Sequence, residues 1–159
     1  MFFFENGYVA MLIDPEEEQD TERDLARTLE LIRKFGFIPS RDVLPELREL
    51  LRRERRVISG RESGCGDYAR ALCFMLYAVG EVEDCLCIWS IKRLNMDTGC
   101  YIDGEYLFGA GVEATLAYVS AQPEYANLLA ELKEILGQPL SGRETTIDWF
   151  RRYFDNTEI

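Results

Sequence analysis

Apolar residues recur at intervals of three and four through most of this chain, and that spacing predicts helices. Leu25, Leu29, Ile32 and Phe35 form one stripe, capped by Asp20 or Thr21 and stopped by Gly36. A second stripe holds Leu44, Leu47, Leu50 and Leu51, with Pro45 tolerable only in its first turn. Beyond the glycine-containing loop 59–66, Tyr68, Leu72, Met75, Leu76 and Val79 share a face that ends at Gly80. Residues 112–121 predict another helix. Pro123 opens the next, with Tyr125, Leu128, Leu129, Leu132, Ile135 and Leu136, and Gly137 follows it. A last helix starts near Thr145 or Thr146 and carries Ile147, Trp149, Phe150, Tyr153 and Phe154.

Three stretches read differently. Phe2-Phe3-Phe4-Glu5 and the apolar run from Tyr8 flank Asn6-Gly7, which predicts a small N-terminal β-hairpin ended by Asp14-Pro15. Residues 81–94 have acidic residues in front and basic ones behind, which suits a helix dipole, and Val82, Cys85, Leu86 and Trp89 share a helical face. The run Cys85-Leu86-Cys87-Ile88-Trp89 has strand propensity as well, so helix and strand both stand. Residues 95–111, with four glycines and several aromatics, give no periodic signal.

The fold class expected is mainly α. Short linkers favour antiparallel helix pairs, which could line up as a short HEAT-like stack. At 159 residues one domain is the prior, divided into an extended, acidic lead-in over 1–19 and a helical body over 20–159. Hydrophobic residues are 47% and charged residues 30%, the balance of a globular domain. No apolar run reaches membrane-span length, and the opening residues lack the basic flank of a signal peptide. A cytoplasmic location is expected. Five cysteines, an odd number, suit reduced and mostly buried thiols.

Charge changes the picture. The net charge is −11 and is unevenly spread. Residues 14–24 hold seven acidic groups against Arg23, residues 25–56 are mildly basic, and the remainder is acidic again. Such a surface repels nucleic acid and anionic membranes and favours a basic protein partner. Solubility alone would explain the same charge.

The sharpest local pattern is Gly64-Cys65-Gly66-Asp67-Tyr68-Ala69 ahead of an apolar helix. It resembles the nucleophile region of transglutaminase-like and papain-like cysteine enzymes, which place a thiol at a helix start. The resemblance covers about a tenth of the chain and implies Cys65 as nucleophile, with Asp67 beside it. Those enzymes pass the proton through a histidine, and this chain has none. Cys85 and Cys87 invite a metal only on a strand, and no second cysteine pair or histidine completes a zinc site. The segment Asn95-Met96-Asp97-Thr98-Gly99 opens like a calcium loop, but Cys100 and Tyr106 stand where glycine and glutamate are needed. Gly104, Gly109 and Gly111 do not have dinucleotide-loop spacing. No metal and no cofactor are expected.

The expected function is therefore non-catalytic protein binding. Small acidic chains of this character are similar in composition to bacterial immunity proteins and antitoxins, which cover the active surface of a basic toxin. No motif carries that likeness. The partner-binding candidates are Glu16, Glu17, Glu18, Asp20, Asp97, Asp103, Glu105 and Tyr106. Two rivals stand beside this reading: the Cys65 enzyme, and a helical adaptor that grips acidic peptides through Arg48, Arg52, Arg53 and Arg56.

Overall fold

Helix α3 (Asp67–Val79) lies at the centre of the molecule. From Tyr68 to Ala78 its only charged side chain is Arg70, and a helix apolar on every side must be covered on every side. Leu72, Phe74, Met75 and Leu76 retain no exposed surface; each contributes about 1.5–3 kcal/mol by leaving water. The cover comes from α1 (Pro15–Phe35), α2 (Leu44–Ser59), α4 (Asp84–Lys92) and a 3-10 turn at Gly104–Phe108. Helices α5 (Met96–Tyr101), α6 (Val112–Ser120), α7 (Ala126–Ile135) and α8 (Arg143–Asp155) complete a mainly α architecture. Helix α8 enters the core through Phe150, whose ring stacks on Phe74 with centroids 3.8 Å apart. This computed structural model describes residues 14–61 and 64–156, with the backbone of Phe4–Glu5 and Tyr8–Val9. Those two short segments pair antiparallel, Phe4 opposite Val9. The Asn6-Gly7 turn of the expected hairpin lies outside the described residues.

The packing differs from a HEAT-like row of stacked pairs. In such a row each pair meets only its neighbours, whereas here four elements from across the chain converge on one helix. The acidic lead-in also needs correction. Helix α1 begins at Pro15, not near residue 20, because Asp14 caps it by accepting the Glu16 N–H at 3.0 Å and Pro15 occupies its first turn. Glu16, Glu17 and Glu18 then favour the positive helix end. Residues 84–92 are helical. They are apolar on two sides, since Cys85, Ile88, Trp89 and Ile91 are all buried, and that blurs any periodic signal. The unreadable stretch 95–111 holds α5, closed by a reciprocal box in which Asn95 and Thr98 each bond the other's backbone N–H.

Several helix ends are closed by charged side chains from elsewhere in the chain. Gly66, at the start of α3, has no side chain to cap with. The carboxylate of Asp24 on α1 accepts the Tyr68 N–H at 3.3 Å instead. At the other end of α3, Arg143 donates to the carbonyls of Tyr77 and Ala78. Gly142 precedes α8, and Glu105 takes up the N–H groups of Ser141 and Gly142 and the Thr146 hydroxyl. Lys92 donates to the carbonyls of Gly99 and Ile102 around the end of α5. Asp84, 1% exposed, receives Arg48 through two bonds of 2.7 and 3.0 Å, which tie α2 to the start of α4. The bonds to backbone N–H and carbonyl groups at these ends meet groups that would otherwise be stranded.

Candidate functional site

Cys65 stands one residue before the glycine at the start of α3, half-buried in a cleft of about 420 Å³. Asp20, Asp24, Glu54, Asp67 and Tyr101 line this cleft, together with Arg23, Arg27 and Arg61. Burial pushes the thiol up to about 12, and the carboxylates of Asp24 and Glu54 add to the shift. A helix start would favour the thiolate, but here acids oppose it from α1 and α2. Burial also raises Asp24, which faces Asp67 and Glu54. Glu54 is held by Arg27 at 3.0 Å, and the Cys65 thiol is directed to the Gly66 carbonyl at 3.8 Å.

A labelling experiment follows from this geometry. At pH 8 a thiol at about 12 is ionised in about one molecule in ten thousand. Iodoacetamide should therefore modify exposed Cys100 first, and Cys65 at least about a hundredfold more slowly. Peptide mapping by mass spectrometry reads both sites. Equal rates at the two cysteines would restore Cys65 as an activated nucleophile.

The remaining motifs resolve into structure. Cys85 and Cys87 sit on α4, the first buried and the second half-buried. Among the described residues no three metal-ligating side chains gather. The arginine run of α2 is engaged: Arg52, Arg53 and Arg56 share Glu49 at 2.7, 3.3 and 3.7 Å, and Arg48 is committed to Asp84. Among the described residues no helix is long and apolar enough to cross a membrane.

The partner-binding candidates divide. Glu16, Glu17, Glu18 and Asp20 are exposed on the first two turns of α1. Asp97 is exposed and accepts the Gly64 N–H at 2.7 Å, so it borders the cleft. Asp103 is exposed, but its carboxylate caps the 3-10 turn through the Glu105 N–H at 2.9 Å. Glu105 and Tyr106 are corrections. They are 6% and 2% exposed, so neither can face a partner. Glu105 is turned inward to α8, and Tyr106 packs among Phe74 and Tyr77, where burial pushes its phenol up to about 12.

The structure also brings together residues that sequence reading does not join. Trp149 and Tyr153 of α8 are substantially exposed, at 49% and 39%, and their rings stack 5.3 Å apart. Their neighbours Phe150 and Phe154 point into the core, so α8 is aromatic on two faces. The guanidinium of Arg70 lies 4.5 Å from the Trp149 ring, 5.2 Å from Tyr153 and 4.7 Å from Tyr101. The Tyr101 hydroxyl donates to Asp67, whose second oxygen lies 3.5 Å from the Tyr153 hydroxyl. Burial, and then Asp67, raises the Tyr101 phenol above its ordinary value. Asp67 and Tyr101 also line the Cys65 cleft, so one continuous surface runs from the aromatic pair to the acidic start of α1. The signals in the sequence for this surface are the four-residue spacing of Trp149 and Tyr153 and the aromatics that residues 149–154 place on more than one helical face.

No family model, no curated protein and no solved structure matches the chain.

Proposed function

We propose that this chain is a non-catalytic binding protein of the immunity or antitoxin kind, which captures a basic protein partner on its acidic surface. The observation that carries this reading is how the charges are used. Arg27, Arg41 and Arg152 are paired one to one with Glu54, Glu81 and Asp148, Arg48 holds both Asp84 and Glu83, and three more arginines share Glu49. Glu16, Glu17, Glu18 and Glu22 on α1 make no ion pair among the described residues, and Asp20 makes only a 3.7 Å contact to Arg23. The surface charge left over is negative, which speeds encounter with a basic protein. A bacterial toxin as partner, a cytoplasmic location and the N-terminal hairpin belong to the same proposal. The adaptor reading has less support, since its arginines already hold carboxylates of this chain. The enzyme reading has less support, since burial and the carboxylates of Asp24 and Glu54 push the Cys65 thiol up to about 12.

Immobilised protein should retain a basic protein from its own source's lysate at about 50 mM salt and release it by about 0.5 M. A fourfold variant, Glu16→Gln, Glu17→Gln, Glu18→Gln and Asp20→Asn, should retain much less. Retention that ignores both salt and these substitutions would end the steering argument.

A further inference from the structure

The exposed aromatic pair on α8 lies beside the acidic cleft, and that juxtaposition says what should cover it. We propose that Trp149 and Tyr153 form the docking face for an arginine-bearing basic segment of the partner, whose side chains lie on the two rings while Asp67, Asp97 and Asp20 receive their charge. This inference rests on the basic-partner reading and names the face and the chemistry that reading leaves open.

Three observations carry it. First, the pair is large, exposed and fixed. Arg70 sits against Tyr101, Trp149 and Tyr153, and Asp67 bonds Tyr101, so the rings lose little freedom when a partner arrives. Second, the rings adjoin carboxylates. Asp67 touches both tyrosines and lines the cleft that reaches Asp20, while Asp97 borders it through Gly64. An apolar partner would strip water from those acids without replacing it. A basic segment pairs with them instead. Third, arginine suits the mixture better than lysine. Its planar guanidinium stacks on aromatic faces, bonds carboxylates in a fork, and lays an apolar stem along the rings. Arg70 already shows that these rings accept a guanidinium. The cations that line the cleft limit the attraction but do not cancel it. Arg27 is held by Glu54 and Arg23 lies beside Asp20, while Arg61 lines the cleft and Arg70 sits against the rings.

The test uses the intact, isotopically labelled chain and a synthetic octapeptide of alternating arginine and glycine. The protein has two tryptophans, and Trp89 is buried with its indole N–H on Glu131, so its resonance serves as the internal control. Titration should move the Trp149 indole resonance to saturation and leave that of Trp89 in place. Trp149→Ala with Tyr153→Ala should weaken binding about tenfold, read from the Asp67 and Tyr68 amides, while circular dichroism stays unchanged. The lysine counterpart should bind at least about threefold more weakly. A shift of the α1 amides alone would overturn this face and leave the basic-partner reading standing. No shift anywhere would remove both. An equal response to a glutamate octapeptide, equal affinity for the lysine peptide, or sedimentation as a dimer that Trp149→Ala dissolves would overturn the proposed occupant.

Discussion

Glu105→Ala is expected to lower the free energy of unfolding by about 3 kcal/mol, read from a shift of the urea midpoint at unchanged slope. The carboxylate is buried and serves three donors at once: the N–H groups of Ser141 and Gly142 and the hydroxyl of Thr146. Alanine leaves these donors without a partner and opens a void where the side chain lay. The substitution should also loosen the first turn of α8, because Gly142 cannot cap the helix itself. Faster amide exchange at residues 143–147 would report that loosening. Trp149 and Tyr153 ride on the same helix, so the variant should also lose affinity for the arginine peptide. Glu105→Gln keeps an acceptor for the backbone donors and can turn its amide toward Thr146, so its cost should be about 1 kcal/mol. A stability loss below about 0.5 kcal/mol for Glu105→Ala would contradict the role given to this carboxylate.

Gly80→Ala should cost about 2–3 kcal/mol, through backbone strain and a steric clash together. Gly80 and Gly36 both follow a helix with positive φ, +85° and +76° respectively. Alanine is strained at both, by about 1 kcal/mol in the left-handed conformation of Gly80 (ψ 28°) and by about 1–3 kcal/mol in the extended, positive-φ conformation of Gly36 (ψ 173°). Only Gly80 carries a second penalty. A Cβ there would stand 2.8 Å from the carbonyl oxygen of Gly109, a backbone atom that cannot swing aside, whereas nothing lies within 4 Å at Gly36. Gly109 is pressed against the Tyr77 backbone in the same way, so the end of α3 and the end of the 3-10 turn touch main chain to main chain. Thermal denaturation of the variant beside the parent chain measures the loss. A loss at Gly80→Ala no larger than the roughly 1 kcal/mol of left-handed strain would mean that the contact at Gly109 yields freely.

Legibility in the sequence followed the kind of signal each element carries. Helix α2 begins beside Pro45, and α3 ends at Gly80, because caps and breakers act within a few residues. The start of α1 at Pro15 is hidden in the sequence, since Asp20 and Thr21 are as good caps in isolation as Asp14. Helix α4 could pass for a strand because it is buried on more than one side, and burial erases the polar face that makes a period visible. At the candidate surface, Glu16, Glu17, Glu18, Asp20 and Asp97 were legible as exposed acids. Glu105 and Tyr106 were not legible as interior groups, because a carboxylate is buried only when donors from a distant segment meet it, and Ser141, Gly142 and Thr146 lie some 36–41 residues away. Arg70 is the converse. On its own helix it is one cation in an apolar run, and its three ring partners come from two other helices.

Local rules act over one or two turns of chain, and they sufficed for the mainly helical character, most helix ends and the negative balance of charge. Tertiary structure alone decided which acids face water and which close helix ends, and it alone joined Trp149 and Tyr153 to Asp67 and the start of α1. The physical reason is that burial and charge pairing depend on distance in space, and residues far apart in sequence acquire that distance only when the chain packs.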